Sequence, residues 1–209
     1  MTKDDPSLDG AYALETPDDH RRLYANWAQT YDTGFRDTHD YRLHELVGNA
    51  FADAGGNGPV LDMGAGTGLV GEVLAKRGIA PLDATDISAE MLGVAAGKGI
   101  YRNTFTADIF DGLPIADDTY DGVTCAGTFT LGHLGPEPLP ELLRVAAPGA
   151  LFAVSINAQH FAAAGFDAAL DALKDQITDL NLPESRIYGP NSTSDHAQDT
   201  AFIATFRKA

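Results

Sequence analysis

Residues 59–68 read PVLDMGAGTG, a short apolar run that ends in an acid and leads into a glycine-rich turn. Such a run followed at once by glycines is typical of a buried strand that turns directly into a helix. Glycine has no Cβ atom and adopts backbone conformations that other residues avoid, so a ligand can approach the main chain closely. The stretch therefore predicts a strand–turn–helix unit that binds a nucleoside-containing ligand.

Short apolar runs alternate with helical patterns along the following hundred residues. We expect strands near residues 60–62, 82–86, 101–107, 121–126 and 150–156, and helices over 69–77, from 88 onward and over 139–146. Two further strands are expected near 186–188 and 201–206. Alternation of strand and helix requires right-handed crossovers and a parallel sheet covered on both faces. The sequence therefore predicts a doubly wound α/β domain.

The N-terminal segment has a pattern of its own. Leu23, Trp27 and Tyr31 recur at intervals of four, as on a short amphipathic helix. We therefore expect residues 1–40 to form a cap or lid and residues 41–209 to form the ligand-binding domain.

Composition limits the classes of partner and the compartment. The chain has 209 residues, with 30 acidic and 14 basic side chains and a net charge of −16, so most of its surface would repel a phosphate backbone. Cys125 is the single cysteine, and its apolar neighbours predict a buried, inert thiol in a reducing compartment. We find no apolar run long enough to span a membrane and no signal-like start. These features predict a cytoplasmic protein that binds neither nucleic acid nor a membrane.

Two ligand classes are compatible with the glycine-rich turn. Residues 66–71, GTGLVG, match the GxGxxG dinucleotide pattern, and Asp86 lies 20 residues further on, where an acid binds ribose hydroxyls. Asp62 favours another ligand, because a carboxylate beside the first glycines repels a pyrophosphate but suits an ammonium group. S-adenosylmethionine has such a group and no phosphate, whereas a nicotinamide oxidoreductase stays open as the alternative.

The sequence resembles the class I S-adenosylmethionine-dependent methyltransferases. The resemblance rests on residues 60–68 (VLDMGAGTG), 85–88 (TDIS), 107–108 (AD), 113–114 (LP), 120–123 (YDGV) and 142–150 (LLRVAAPGA). Residues 24–32 (YANWAQTYD) are similar to the N-terminal segment of many small-molecule members, and the spacing is similar to the Williams-Beuren region methyltransferase-like branch. Ala150 departs from the pattern, which often has glycine there. The resemblance implies a Rossmann-like fold: a mostly parallel, doubly wound seven-stranded sheet with helices on both faces and a C-terminal antiparallel strand.

The resemblance also implies roles for individual residues. Asp62 and the glycines would hold the methionine end of the cofactor, and Asp86 its ribose. Ile87 would cover one face of the adenine, and Asp108 would accept from its amino group. The Gly127 carbonyl would bind the ammonium, and Tyr31 would close over the cofactor. The full expected set of cofactor-binding residues is Tyr31, Asp62, Gly64, Ala65, Gly66, Gly68, Asp86, Ile87, Met91, Asp108, Ile109, Gly127 and Thr128.

The residues after the fourth strand are expected to shape the acceptor pocket. A sulfonium already activates its methyl group, so the protein mainly needs to align donor and nucleophile, and no metal site is expected. Phe129, Thr130 and His133 follow the fourth strand, and His133 is the candidate general base. We expect transfer to a small molecule. Methylation of a protein, or cofactor binding without catalysis, are the alternatives.

Overall fold

The computed structural model describes residues 10–11, 14, 16–36, 39–192 and 195–209, and these residues build one sheet with helices on both faces. The strands are β1 Val60–Met63, β2 Leu82–Asp86, β3 Asn103–Thr106, β4 Tyr120–Phe129, β5 Ala146–Asn157, β6 Ile177–Asn181, β7 Glu184–Arg186 and β8 Thr200–Lys208. The α-helices in the described ranges are α1 Pro17–Trp27, α2 Leu43–Asp53, α3 Leu69–Lys76, α4 Ala89–Gly97, α5 Leu139–Val145, α6 Ala158–Ala163 and α7 Phe166–Ala172. A π-helix covers Tyr31–Arg36, and a 3-10 turn covers Ile109–Asp111.

The sheet order is β3-β2-β1-β4-β5-β8-β6, with β7 also paired to β8. Strands β1 to β5 are parallel, whereas β8 runs antiparallel to β5, β6 and β7. All four residues of β1 are buried, because β1 has a strand on each side and a hydrophobic core on each face. The predicted doubly wound, mostly parallel sheet with antiparallel pairing at its C-terminal end is confirmed.

Helices cover the two faces of the sheet through separate cores. Val47 and Phe51 of α2 and Leu74 of α3 belong to the core on one face. Leu142 of α5 and Phe166 of α7 belong to the core on the other. None of the helices in the described part of the chain combines the length and the apolar character that a bilayer span requires.

The C-terminal part of the sheet differs from the expected seven strands. Two short strands, β6 and β7, pair with opposite halves of β8, so the sheet has eight strands. Residues 182–183 interrupt them, and Pro183 has no amide hydrogen to donate to a ladder. The strand expected at 186–188 therefore ends at Arg186, and Tyr188 forms only an isolated bridge with Tyr41. Four of the five residues of β6 are exposed, so it lacks the apolar alternation that reveals a strand.

The order of the strands determines where a ligand can bind. The chain moves from β1 to β2 and β3 on one side and then returns to β4 on the other. Connections on the two sides of β1 leave in opposite directions, which opens a crevice at the carboxyl ends of the strands. Most of the residues predicted to bind the cofactor lie at or just after the ends of β1, β2, β3 and β4, so they meet at this edge.

Candidate functional site

A cavity of about 300 Å³ lies at the carboxyl edge of the sheet. It collects residues from the turn after β1, the ends of β2 and β4, the segment after β3 and helix α1. The predicted site residues that line it are Tyr31, Gly64, Ala65, Gly66, Asp86, Ile87, Met91, Asp108, Ile109, Gly127, Thr128, Phe129, Thr130 and His133. Asp62 and Gly68 were also predicted, and they do not line it.

The glycine-rich turn passes close to the end of β4. Gly64 and Gly66 have φ angles of 64° and 55°, in the left-handed region. A Cβ atom on Gly64 would lie 2.1 Å from Thr128 Oγ1, so only glycine lets the two segments approach this closely. The bare backbone of this turn forms one wall of the cavity.

Asp86 connects the turn to β2. Its Oδ2 accepts from the Gly66 amide at 2.8 Å, and its Oδ1 accepts from the Ser88 amide at 2.9 Å. Burial raises the pKa of this carboxyl, although the amide hydrogen bonds oppose the shift. The preceding residue, Thr85, also lines the cavity, and its buried Oγ1 has no hydrogen-bond partner. A buried acceptor and an unsatisfied hydroxyl beside a glycine turn fit a ligand that carries hydroxyl groups, as a ribose does.

Asp62 lies behind the wall of the cavity and does not line it. It is 1% exposed and lies behind the turn, where it accepts from Tyr101 Oη at 2.6 Å and from Thr124 Oγ1 at 3.0 Å. Burial raises its pKa to about 6, against the hydrogen bonds from Tyr101, Thr124 and the Gly71 amide. Asp62 therefore does not line the cavity, and its carboxylate supports the turn and the start of α3 from inside the protein. Its direct contact with the methionine end stays a prediction.

The position of the Tyr101 ring explains why two residues of the pattern GTGLVG, residues 66–71, are glycines. A Cβ atom on Gly71 would lie 2.2 Å from Tyr101 Oη, and one on Gly68 would lie 2.9 Å from Tyr101 Cε2. These glycines make room for the Tyr101 ring, and the cofactor contact expected of Gly68 stays a prediction. Tyr101 precedes β3, far from the turn in sequence, and no local pattern indicated its role.

His133 lies under α1 with both ring nitrogens engaged. Its Nδ1 is 3.1 Å from the Leu131 carbonyl, which can only accept, so Nδ1 carries the proton. Its Nε2 therefore accepts from Tyr24 Oη at 2.8 Å. Burial and the neighbouring His20 lower the pKa of His133 to about 3. These contacts do not favour the predicted general base, because its lone pair is occupied and its pKa is far from neutrality.

The acceptor residues predicted after the fourth strand lie partly within the strand itself. β4 continues to Phe129, past a shift in register at Gly127, whose φ is 81°. The Gly127 amide donates to Ser155 Oγ at 2.9 Å, which fixes this irregular end. Phe129 lines the cavity, and its ring also packs edge-on against Phe166 at 5.6 Å.

Helix α1 and the π-helix border the cavity on its outer side. Arg21 pairs with Asp108 at 3.5 Å, and Thr67 of the glycine turn donates to Asp32 at 2.5 Å. Trp27 and Tyr31 line the cavity with their rings edge-on at 5.1 Å. Sequence periodicity had indicated this amphipathic segment. It had not indicated other cavity residues, of which the ring-bearing ones are His20, Tyr24, Tyr41, His44, Phe110 and Tyr188.

Comparison with known proteins shows which proteins this chain is similar to. Residues 60–149, from β1 to the start of β5, match the family described as Methyltransferase domain. Human methyltransferase-like protein 27 is 28% identical over 173 residues, which are 80% of this chain and 69% of the relative. Demethylmenaquinone methyltransferase of Thermobifida fusca is 39% identical over 104 residues, which are 48% of this chain and 44% of that protein.

The fold agrees with these relatives. An S-adenosylmethionine-dependent methyltransferase from Thermotoga maritima superimposes with a TM-score of 0.64 at 14% identity, covering 90% of this chain and 98% of its own. Residues 60–149 therefore form a methyltransferase domain, and the fold is that of S-adenosylmethionine-dependent methyltransferases, which indicates S-adenosylmethionine as the cofactor. The nicotinamide alternative is therefore not retained.

Proposed function

We propose that this enzyme transfers the methyl group to a small-molecule acceptor by in-line displacement. When bound, S-adenosylmethionine supplies a methyl group that its sulfonium has already activated. The chain's own contribution is to bind, orient and keep water away, which lowers the barrier through positioning. In this proposal Asp86 binds the ribose, Ile87, Met91 and Ile109 surround the adenine, and the turn at Gly64–Gly66 receives the methionine end.

The observation that carries the proposal is the covered position of the cavity beyond the glycine turn. The hydrogen bond from Tyr24 to His133 joins α1 to the loop after β4 across this region. The buried rings of Trp27 and Phe129 narrow the same space. A small molecule can be enclosed there, whereas a protein tail would need an open groove that admits a backbone.

We further propose that residues 1–40 act as the cap over this cavity. Contacts in the described part of that segment support this, since Asp32 binds Thr67 of the cofactor turn and Arg21 binds Asp108. A cap of this kind excludes water from the transfer step. A cytoplasmic location, the absence of nucleic-acid substrates and kinship with the Williams-Beuren-like branch stay predictions of the sequence.

The proposal is tested by measuring S-adenosylhomocysteine release with two sets of acceptors, one of small molecules and one of basic proteins and peptides. The acidic surface makes basic protein tails the relevant competitors. We expect turnover with members of the small-molecule set and none with the peptides. The Asp86→Ala variant, assayed at the same cofactor concentration, corrects for release that does not depend on the site. Turnover of a peptide without turnover of any small molecule would overturn the proposal.

A further inference from the structure

The inference concerns the part of the cavity where the acceptor must approach, and it rests on the proposed small-molecule function. We define the acceptor end by six cavity-lining residues that lie beyond the glycine turn: His20, Tyr24, Trp27, Tyr41, His44 and Tyr188. Tyr41 reaches the end of β4, since a Cβ atom on Gly127 would lie 3.0 Å from its hydroxyl. The acceptor end is therefore adjacent to the residues expected to hold the methionine part of the cofactor.

The acceptor end carries no fixed charge among the residues that the structure describes. Of the described residues that line the whole cavity, only Asp86 and Asp108 are carboxylates, and none is a lysine or arginine. Asp86 ends β2 and Asp108 follows β3, on the side expected for ribose and adenine, although the charge of Asp108 also reaches His20. An ionic acceptor would therefore be desolvated without a matching counter-charge, which is costly.

The imidazoles of the acceptor end, His20 and His44, and the adjacent ring of His133 do not supply that charge. Burial lowers the pKa of His20, lowers that of His44 to about 4 and lowers that of His133 to about 3. All three rings are neutral near pH 7. Surroundings that keep an imidazole neutral also oppose the charged form of a bound ligand.

The walls of the acceptor end are mainly flat rings. Tyr24 and Trp27 are roughly parallel, with ring centroids 6.1 Å apart. On the α2 side, the ring centroid of Tyr41 lies 5.9 Å from that of His44 and 5.8 Å from that of Tyr188. Ring faces and edges of this kind favour a planar aromatic guest through offset and edge-on contacts.

One polar group in this wall lacks a partner. His44 Nδ1 is buried without a hydrogen bond, and the residue is 8% exposed. Buried polar atoms are rarely left in this condition unless a ligand or water satisfies them. A ligand with a hydroxyl or carbonyl group could form this missing hydrogen bond.

We propose that the acceptor is an uncharged, planar aromatic molecule with a hydrogen-bonding substituent that contacts His44. An ammonium compound is the main competitor, because aromatic faces attract cations. However, an ammonium acceptor would stand close to the positively charged sulfonium, and Asp108, the cavity carboxylate whose charge reaches His20, is already paired with Arg21. It would also have to lose its proton before its nitrogen could attack.

The test measures binding to the protein saturated with S-adenosylhomocysteine, using three probes with one ring system: 2-naphthol, 2-naphthoate and 2-naphthylmethylammonium. At about pH 7 we expect 2-naphthol to bind about tenfold or more tightly than either ion, because each ion loses hydration without gaining a counter-charge. Equal or tighter binding of either ion would overturn the inference. So would the absence of 2-naphthol binding to the loaded protein.

Substitutions at His44 test the specific contact. We expect His44→Phe to weaken 2-naphthol binding about fivefold to tenfold, as loss of one neutral hydrogen bond predicts, and to leave S-adenosylhomocysteine affinity unchanged. His44→Asn keeps a polar atom near the Nδ1 position and should restore most of the binding. His196→Phe is the matched control, because His196 does not line the cavity.

Unchanged 2-naphthol affinity in His44→Phe would overturn the role of His44. Different results would overturn the proposed function and the inference about the acceptor. Peptide turnover without small-molecule turnover would overturn the proposed function, whereas tight binding of an ionic naphthalene would overturn only the charge of the acceptor.

Discussion

Replacing Tyr101 with phenylalanine should destabilise the protein by an amount that depends on pH. The substitution removes the 2.6 Å hydrogen bond to the buried Asp62 carboxyl and leaves the ring that fills the space beside Gly71. A hydrogen bond to a charged group contributes about 1.5–3 kcal/mol and a neutral one about 0.5–1.5 kcal/mol. The loss should therefore be greater when Asp62 is ionised than when it is protonated.

The direction of the pH dependence follows from the pKa of Asp62, which is raised from 3.8 to about 6 in the folded protein. In the parent protein this group favours folding fully below the unfolded value, and that contribution is lost as pH rises through about 6. Phenylalanine removes a donor that lowers this pKa, so the folded value rises further in the variant. The loss in free energy of unfolding caused by the substitution therefore grows above about pH 6. It should be about 1 kcal/mol near pH 5 and about 2–3 kcal/mol near pH 8.

The assay is urea unfolding followed by circular dichroism at several pH values, with parent and variant compared at each. Tyr120→Phe is the matched control, because Tyr120 Oη donates to the buried Asp83 at 3.0 Å. Burial alone would raise the pKa of Asp83, but hydrogen bonds from Arg102, Tyr120 and Asn103 and the charge of Arg102 outweigh it, and the pKa is lowered. Asp83 is thus ionised between about pH 5 and 8. The Tyr120→Phe variant should therefore lose the same free energy of unfolding at each pH. A pH-independent loss in Tyr101→Phe would refute the assignment of Asp62 as a carboxyl that titrates in this range.

Three further predictions concern the turn and the cavity. Asp86→Ala should weaken S-adenosylhomocysteine binding by about 1–3 kcal/mol in calorimetric titration, because it removes a charged acceptor; an unchanged affinity would contradict the ribose assignment. Gly71→Ala should destabilise the fold by about 1–3 kcal/mol, since its Cβ atom would lie 2.2 Å from Tyr101 Oη, whereas Gly93→Ala, with open space around it in α4, should stabilise by about 0.5–1 kcal/mol in the same unfolding assay. His133→Gln should leave the shape of the pH–rate profile unchanged between about pH 5.5 and 8, because a pKa of about 3 keeps the ring neutral there; loss of an inflection would restore the general-base role.

The cofactor side of the site was predictable because its chemistry is local. Gly64 to Gly66 follow β1, Asp86 ends β2 and Asp108 follows β3, and parallel strands bring their carboxyl ends to one edge. Strand periodicity therefore placed these residues together before any contact was known. The exposed strand β6 was missed for the same reason, since it has no apolar alternation to reveal it.

The acceptor side was less predictable because its residues come from unrelated parts of the chain. Tyr41, His44 and Tyr188 meet only when α2 packs on the sheet and the segment after β7 returns beside it. The surroundings of Asp62 were unpredictable for the same reason. Its position beside the glycines is local, but Tyr101 and Thr124 decide that its carboxylate turns inward.

The order of apolar runs, glycines and acids along this chain determined a doubly wound fold and the sheet edge at which the predicted cofactor residues meet. These properties depend on local periodicity and on strand ends, which are written in consecutive residues. Only tertiary packing decided that Asp62 supports the turn from within, that His133 is neutral and occupied, and that uncharged rings enclose the acceptor end. Burial, pKa and hydrogen-bond partners depend on which distant side chains surround a group, and sequence spacing alone does not specify those neighbours.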